Sequence, residues 1–293
     1  MKKKLLAMLT ATLVLGAAGC GSQEEAVETE GNKAILVVSF GTSYDDSREV
    51  TIGAIEHAIQ AEFADYEVRR AFTSQIIIDI LAERGLEIDN VEEALDRAVA
   101  DGIDTLVVQP THLMNGYEYT DLAEALEGYK DQFANLSLGA PLLSDDADYD
   151  AVVAAITEAT ADYDDGETAI CFMGHGTEAE SNAVYAKLQE ILITGGQENY
   201  FIGTVEAEPS VEDVLYAVEE AGKYKKVVLL PLMVVAGDHA NNDMAGDEED
   251  SWKTIFTNAG YEVECVLEGL GQNEAIQKIY VDHTKAAVDG LQG

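Results

Sequence analysis

From residue 33 onward, short runs of apolar residues alternate with stretches in which apolar positions recur every three or four residues. Residues 34–40, 66–72, 105–110, 169–173, 200–205, 226–235 and 261–267 read as strands. Residues 50–63, 76–82, 91–99, 183–193, 211–220, 251–258 and 274–291 read as helices. Most of these strands are apolar without alternation, which is the pattern of a strand buried on both faces of a parallel sheet covered by helices. The pattern predicts an α/β protein.

The order of elements runs twice. AILVVSFGT (34–42) and AICFMGHGT (169–177) are both a strand entering a Gly-Thr turn, and TLVVQP (105–110) and KVVLLP (226–231) are both a strand meeting a proline. Two similar Rossmann-like halves follow, 33–145 and 146–293. Their boundary is expected at 141–149, where Ser144-Asp145-Asp146 interrupts the periodicity. In open parallel sheets ligands bind beyond the carboxyl ends of the strands, so the residues just after each strand are the ones to inspect.

The first twenty residues have a different character. Lys2-Lys3-Lys4 precedes a short apolar run from Leu5 to Leu15, and Ala17-Ala18-Gly19-Cys20 closes it with small residues and a cysteine. This is the pattern of a lipoprotein signal peptide, with Cys20 as the lipidated residue; the run is too short for a spanning helix, which needs about 20 residues. Residues 21–32, with four Glu and no aromatic, then read as an acidic tether. The expected protein is exported and membrane-anchored, facing the periplasm or cell exterior. Cys171 and Cys265 lie in apolar runs without metal-type spacing and are expected to be buried structural thiols rather than a bridge.

The formal charge of −39, from 56 acidic and 17 basic residues, excludes nucleic acid as a partner, because phosphates need clustered cations. Removal of residues 1–19 takes three lysines and no acid with it, leaving −42. With 47% hydrophobic residues and four prolines the chain still has ample material for a core, so the acid coats a folded surface.

Three strand ends carry unusual residues. His175 lies between Gly174 and Gly176, where two glycines permit positive φ and close approach by a ligand. His239 follows residues 226–235, with Asp238 and Asp243 placed to orient its ring or to begin the next helix. Glu206 closes 200–205, before a helix that Pro209 can start. Together they offer two imidazoles and a carboxylate, a set suited to a labile borderline divalent ion such as Co²⁺, Fe²⁺, Ni²⁺ or Zn²⁺. No HExxH or GxGxxG accompanies them, and no organic cofactor is expected. The first half contributes Phe40, Gly41 and Thr42 after one strand, and His112 and Glu118 after another, as a substrate-binding wall, with His112 also a candidate metal or proton-transfer group or a structural turn residue. Tyr117 and Tyr119 are placed to stack on a flat ligand or to pack between the halves. His57 and His283 fall in helical stretches and have no expected role.

The stretches VSFGTS (38–43), QPTHLMNGYE (109–118), FMGHGT (172–177), GTVE (203–206) and LPLMVVAGDHANNDMAGDEEDSWK (230–253) resemble the anaerobic-pathway sirohydrochlorin cobaltochelatase family. The likeness spans residues 33–290, and the AGDHANNDMAGDEEDSW run is its most specific part. It implies a class II chelatase fold, two similar α/β domains facing across a cleft that holds the tetrapyrrole. The family's metal-binding histidines fall on His175 and His239 and its active-site glutamate on Glu206, with Glu208 the alternative carboxylate. The implied reaction is insertion of Co²⁺ into sirohydrochlorin with release of two pyrrole protons, Fe²⁺ and Ni²⁺ fitting the same ligands. An exported, non-catalytic haem-, tetrapyrrole- or metal-binding lipoprotein is the competing expectation, and homo-oligomerisation stays open. Because the tetrapyrrole is a polycarboxylate, Arg48, Arg69 or Arg70 is expected near the cleft mouth.

Overall fold

A computed structural model describes residues 31–291; the expected signal sequence, Cys20 and the tether up to residue 30 lie outside the described residues. The first half runs β1 (Asn32–Ser39), α1 (Asp45–Arg48), a π-helical turn (Glu49–Gly53), α2 (Ala54–Glu62), β2 (Glu67–Phe72), α3 (Gln75–Glu83), α4 (Val91–Ala100), β3 (Ile103–Pro110), α5 (Tyr117–Glu127) and β4 (Asn135–Leu138). The second runs α6 (Asp146–Ala159), β5 (Thr168–Gly174), α7 (Ala183–Thr194), β6 (Tyr200–Thr204), α8 (Val211–Ala221), β7 (Lys226–Pro231), α9 (Trp252–Asn258), β8 (Glu262–Cys265) and α10 (Glu274–Gly290).

Each half contains a four-stranded sheet, ordered β2-β1-β3-β4 and β6-β5-β7-β8, and every pairing is parallel. The strands are apolar on both faces because both faces are covered. Ile35 and Val37 of β1 point into a core that also holds Ile170 and Phe172 of β5, whereas Ala34, Leu36 and Val38 face α4 and α5. On the far side, Ala169, Cys171 and Met173 pack under α8 and α9. Burying side chains such as Leu36, Ile35 and Phe172 to 2% exposure or less contributes roughly 1.5–3 kcal/mol each. The core between the sheets is continuous, with α6 and α10 contributing Val152, Ile156, Ile276 and Tyr280 to it. The last helix returns to the first half, where the Tyr280 hydroxyl donates to the Thr111 carbonyl at 2.8 Å. The described residues accordingly form one unit, in which α10 of the second half packs on α2 and β3 of the first.

Several elements differ from the sequence expectation. The chain from 117 to 159 carries α5, β4 and α6, none of which the periodicity indicated. The Ser144-Asp145-Asp146 interruption is the start of α6: the Asp145 side chain accepts from the Asp148 N–H and the Asp148 side chain accepts from the Asp145 N–H. β7 ends at Pro231, and 232–235 leave the sheet to line a cavity. α8 starts at Val211 with Ser210 as its N-cap, so Pro209 precedes the helix and is not in its first turn. Cys171 and Cys265 are free and separated by the intervening β7, since Cys171 and Cys265 both pair with Leu229. Two strand spacings of about 4.8 Å put them beyond disulfide reach. No helix among the described residues is long and apolar enough to cross a membrane.

Candidate metal and tetrapyrrole site

The carboxyl ends of the central strands of both sheets open into one cavity of about 540 Å³. Residues 39–44, 111–114 and 116–118 lie on the wall from the first half; His175, Glu206, 232–235 and 237–239 lie on the wall from the second. Phe40, Gly41, Thr42, His112 and Glu118, the expected substrate-side residues, all lie on this wall, as does Tyr117.

His175 and His239 meet here, their ring centroids 4.8 Å apart and their planes at 87°. Each ring has one nitrogen committed. The His175 Nδ1–H donates to the Gly176 carbonyl at 2.8 Å, and the His239 Nδ1–H donates to the Asp243 carboxylate at 2.7 Å. Those acceptors fix the tautomer and leave both Nε2 atoms with a lone pair to offer. Asp243 is one turn beyond His239 in the π-helical turn Ala240–Met244, whereas Asp238 accepts from the Asn242 amide at 2.8 Å. Of the two acids flanking His239 it is Asp243 that orients the ring.

The glycines beside His175 serve the protein's own packing. Gly176 has φ +85, and a Cβ there would lie 2.8 Å from the Ala207 nitrogen. At Gly174 a Cβ would stand 2.2 Å from the Tyr185 ring, whose hydroxyl accepts from the Gly176 N–H. Both glycines are approached closely by the polypeptide itself, which pins the loop carrying His175. Tyr185, a fully buried helical residue, has no sequence signal that distinguishes it from ordinary core.

Glu206 is tied to the same loop, its N–H donating to the His175 carbonyl at 2.8 Å, and its side chain is exposed at the cavity. Glu208 lies off the cavity wall, and its carboxylate accepts from the Ser210 N–H at 3.1 Å. No three His, Cys, Asp or Glu side chains among the described residues are gathered tightly enough to enclose an ion. The two histidine rings are oriented by hydrogen bonds, and Glu206 stands on their wall as an exposed carboxylate.

His112 contrasts with that pair. Both its ring nitrogens are shut off from solvent without a hydrogen-bond partner, and burial pulls its pKa down to about 4 against the opposing influence of Glu118. It is a neutral imidazole in the wall. Of the three arginines expected at the cleft mouth, Arg69 and Arg70 are elsewhere, whereas Arg48 donates to the carbonyl of Thr42, a wall residue, at 3.3 Å. Arg69 pairs with Glu67 and Asp101, Arg70 with Glu56, and Arg48 with Asp45, and none lines the cavity. In so acidic a chain each of these three has found a carboxylate.

The described fold is similar to that of the sirohydrochlorin chelatase SirB from Bacillus subtilis subspecies spizizenii solved in complex with cobalt. The TM-score is 0.63 at 14% identity, over 89% of this chain and 97% of that one. The cobalt chelatase (CbiK) family profile matches residues 33–289, and the chain belongs to that family. It is 39% identical to the sirohydrochlorin cobaltochelatase of Salmonella typhimurium over 88% of this chain and 97% of the relative. It is 32% identical to the sirohydrochlorin cobaltochelatase CbiKC of Nitratidesulfovibrio vulgaris, over 88% and 92%.

Proposed function

We propose that this protein inserts Co²⁺ into sirohydrochlorin, releasing two pyrrole protons for each ion inserted. The observation that carries the reading is the His175–His239 pair, each with Nε2 uncommitted, in a cavity of a chain belonging to the cobalt chelatase family. Two neutral imidazoles bind a borderline divalent ion without enclosing it, which suits an ion that must be handed on. Glu206 completes coordination or accepts a proton; carboxylate and imidazole are the groups able to take protons near neutral pH. The macrocycle lies against the first-half wall, over Phe40 and beside Tyr117, both of which present exposed ring surface. Fe²⁺ and Ni²⁺ satisfy the same donors.

The test is anaerobic incubation of the purified protein with sirohydrochlorin and Co²⁺, Fe²⁺ or Ni²⁺, following the absorbance change on metallation. Acceleration over the spontaneous rate is expected with Co²⁺; no acceleration with any metal sinks the reading. Binding of tetrapyrrole or metal without insertion supports the alternative, a binding lipoprotein, which the export-type N-terminus favours. Anchoring at the exterior through Cys20 belongs to the same proposal and rests on the Lys-rich start, the short apolar run and Ala17-Ala18-Gly19-Cys20. Metabolic labelling with palmitate should mark the protein and lose the mark in Cys20→Ala.

A further inference from the structure

A chelatase of a polycarboxylate faces an electrostatic difficulty in this cavity. Its charged lining residues are Glu118, Glu178, Glu206 and Asp238, with no Lys or Arg beside them, and the whole chain carries −39. Such a field attracts a divalent ion and repels the macrocycle. A cation held ready for the macrocycle has to be one that the protein's own acids have not already taken.

One residue meets that condition. Every other Lys and Arg among the described residues has a carboxylate within 4.0 Å. Arg84 has none. Its Nη1 donates instead to the main-chain carbonyl of Ser43 at 2.5 Å, and Ser43 is part of the cavity wall. A neutral carbonyl holds the side chain in place without cancelling its charge, and a guanidinium has five N–H donors, so most remain available. Arg84 is exposed and directly follows α3, the helix whose Ile77 also lines the cavity. Residues 77, 81 and 84 share one helical face, and Leu81 between them is fully buried, which fixes the face on which Arg84 emerges.

We infer that Arg84 is a substrate-positioning residue whose guanidinium binds a carboxylate on the rim of the tetrapyrrole. The inference rests on the chelatase reading above. A planar fork matches a carboxylate in two parallel hydrogen bonds, which sets the rotation of the ring in the cavity as well as its affinity.

The experiment measures binding of metal-free sirohydrochlorin by quenching of its fluorescence, beside KM and kcat for cobalt insertion, in wild type, Arg84→Met, Arg84→Lys and Arg97→Gln. Arg97 is an exposed arginine paired with Asp89, and neither lines the cavity, so its loss tests the general field alone. Arg84→Met should weaken binding and raise KM for the macrocycle about ten-fold, with kcat within about two-fold. Arg84→Lys should recover part of the loss, and Arg97→Gln should match wild type. The gap between wild type and Arg84→Met should narrow in concentrated KCl, which a merely structural hold on Ser43 would not produce. Unchanged binding in Arg84→Met while wild type binds and metallates overturns the role of Arg84 and leaves the chelatase reading standing. An equal loss in Arg97→Gln also overturns it, and failure of wild type to bind the macrocycle overturns both.

Discussion

The two halves share one strand order and differ in what they place at equivalent strand ends. After β1 comes Phe40-Gly41-Thr42; after β5, in the matching position, comes His175-Gly176-Thr177. β3 leads to His112, both nitrogens of which are covered, whereas the loop after β7 leads to His239, with one nitrogen committed and one open. The same scaffold thus places an aromatic ring, Phe40, and a covered imidazole, His112, on one side and a pair of imidazoles with open Nε2 atoms on the other. A symmetric fold acquires an asymmetric site because strand ends tolerate substitution that strand interiors, packed on both faces, do not.

That asymmetry can be broken at its strongest point first. His175→Ala or His239→Ala should each lower kcat/KM for cobalt insertion by more than about 100-fold while leaving the folded state intact, since neither ring is part of a core cluster. Wild-type rates in both variants, measured by the absorbance assay, would falsify the assignment of the second-half wall as the metal side. Next in size is Asp243→Asn, which keeps shape but no longer pins the His239 tautomer; KM for Co²⁺ should rise about ten-fold with little change in the macrocycle's affinity. The smallest effect sharpens the contrast from the other side. His112→Leu removes two unpartnered buried nitrogens, so it should raise stability by about 1 kcal/mol and leave insertion within about two-fold. An insertion rate reduced more than about ten-fold would instead give His112 a part in the chemistry.

The pH dependence of stability carries the same contrast. Below the ordinary histidine range the unfolded chain takes up a proton at His112 that the folded chain refuses until about pH 4. The unfolded state then binds more protons, so stability contributed at neutral pH is lost as pH falls from about 6.5 toward 4. Denaturant titrations should show a shallower loss over this window in His112→Leu, and an identical slope in both proteins would count against the buried neutral state.

Much of the fold was legible in the residues because buried parallel strands have a plain signature. The β1 and β5 runs and their Gly-Thr ends revealed the repeat, and the strand-end rule placed Phe40, His112, His175, Glu206 and His239 on one cavity. α6 escaped because it lies in the core between the sheets: Tyr149, Val152, Val153, Ala155 and Ile156 are buried around it, so no single apolar stripe stands out. α5 buries only Leu122 and Leu126 and the short β4 buries none of its four residues, so neither has a strong apolar pattern, and the strand expected over 226–235 ran on past Pro231 because the cavity wall beyond it is as apolar as the sheet.

Composition and local pattern, then, determined the α/β class, the internal repeat and the residue types standing at each strand end, since these depend on which side chains must be buried and at what spacing. Tertiary structure decided the rest. Which acid orients His239, why Gly174 and Gly176 flank His175, that His112 has no partner, and that Arg84 alone among the described cations faces no carboxylate are all set by contacts between residues distant in sequence. Charge and hydrogen-bond capacity are written into each side chain, but whether they are already spent is decided only by what the fold brings within reach.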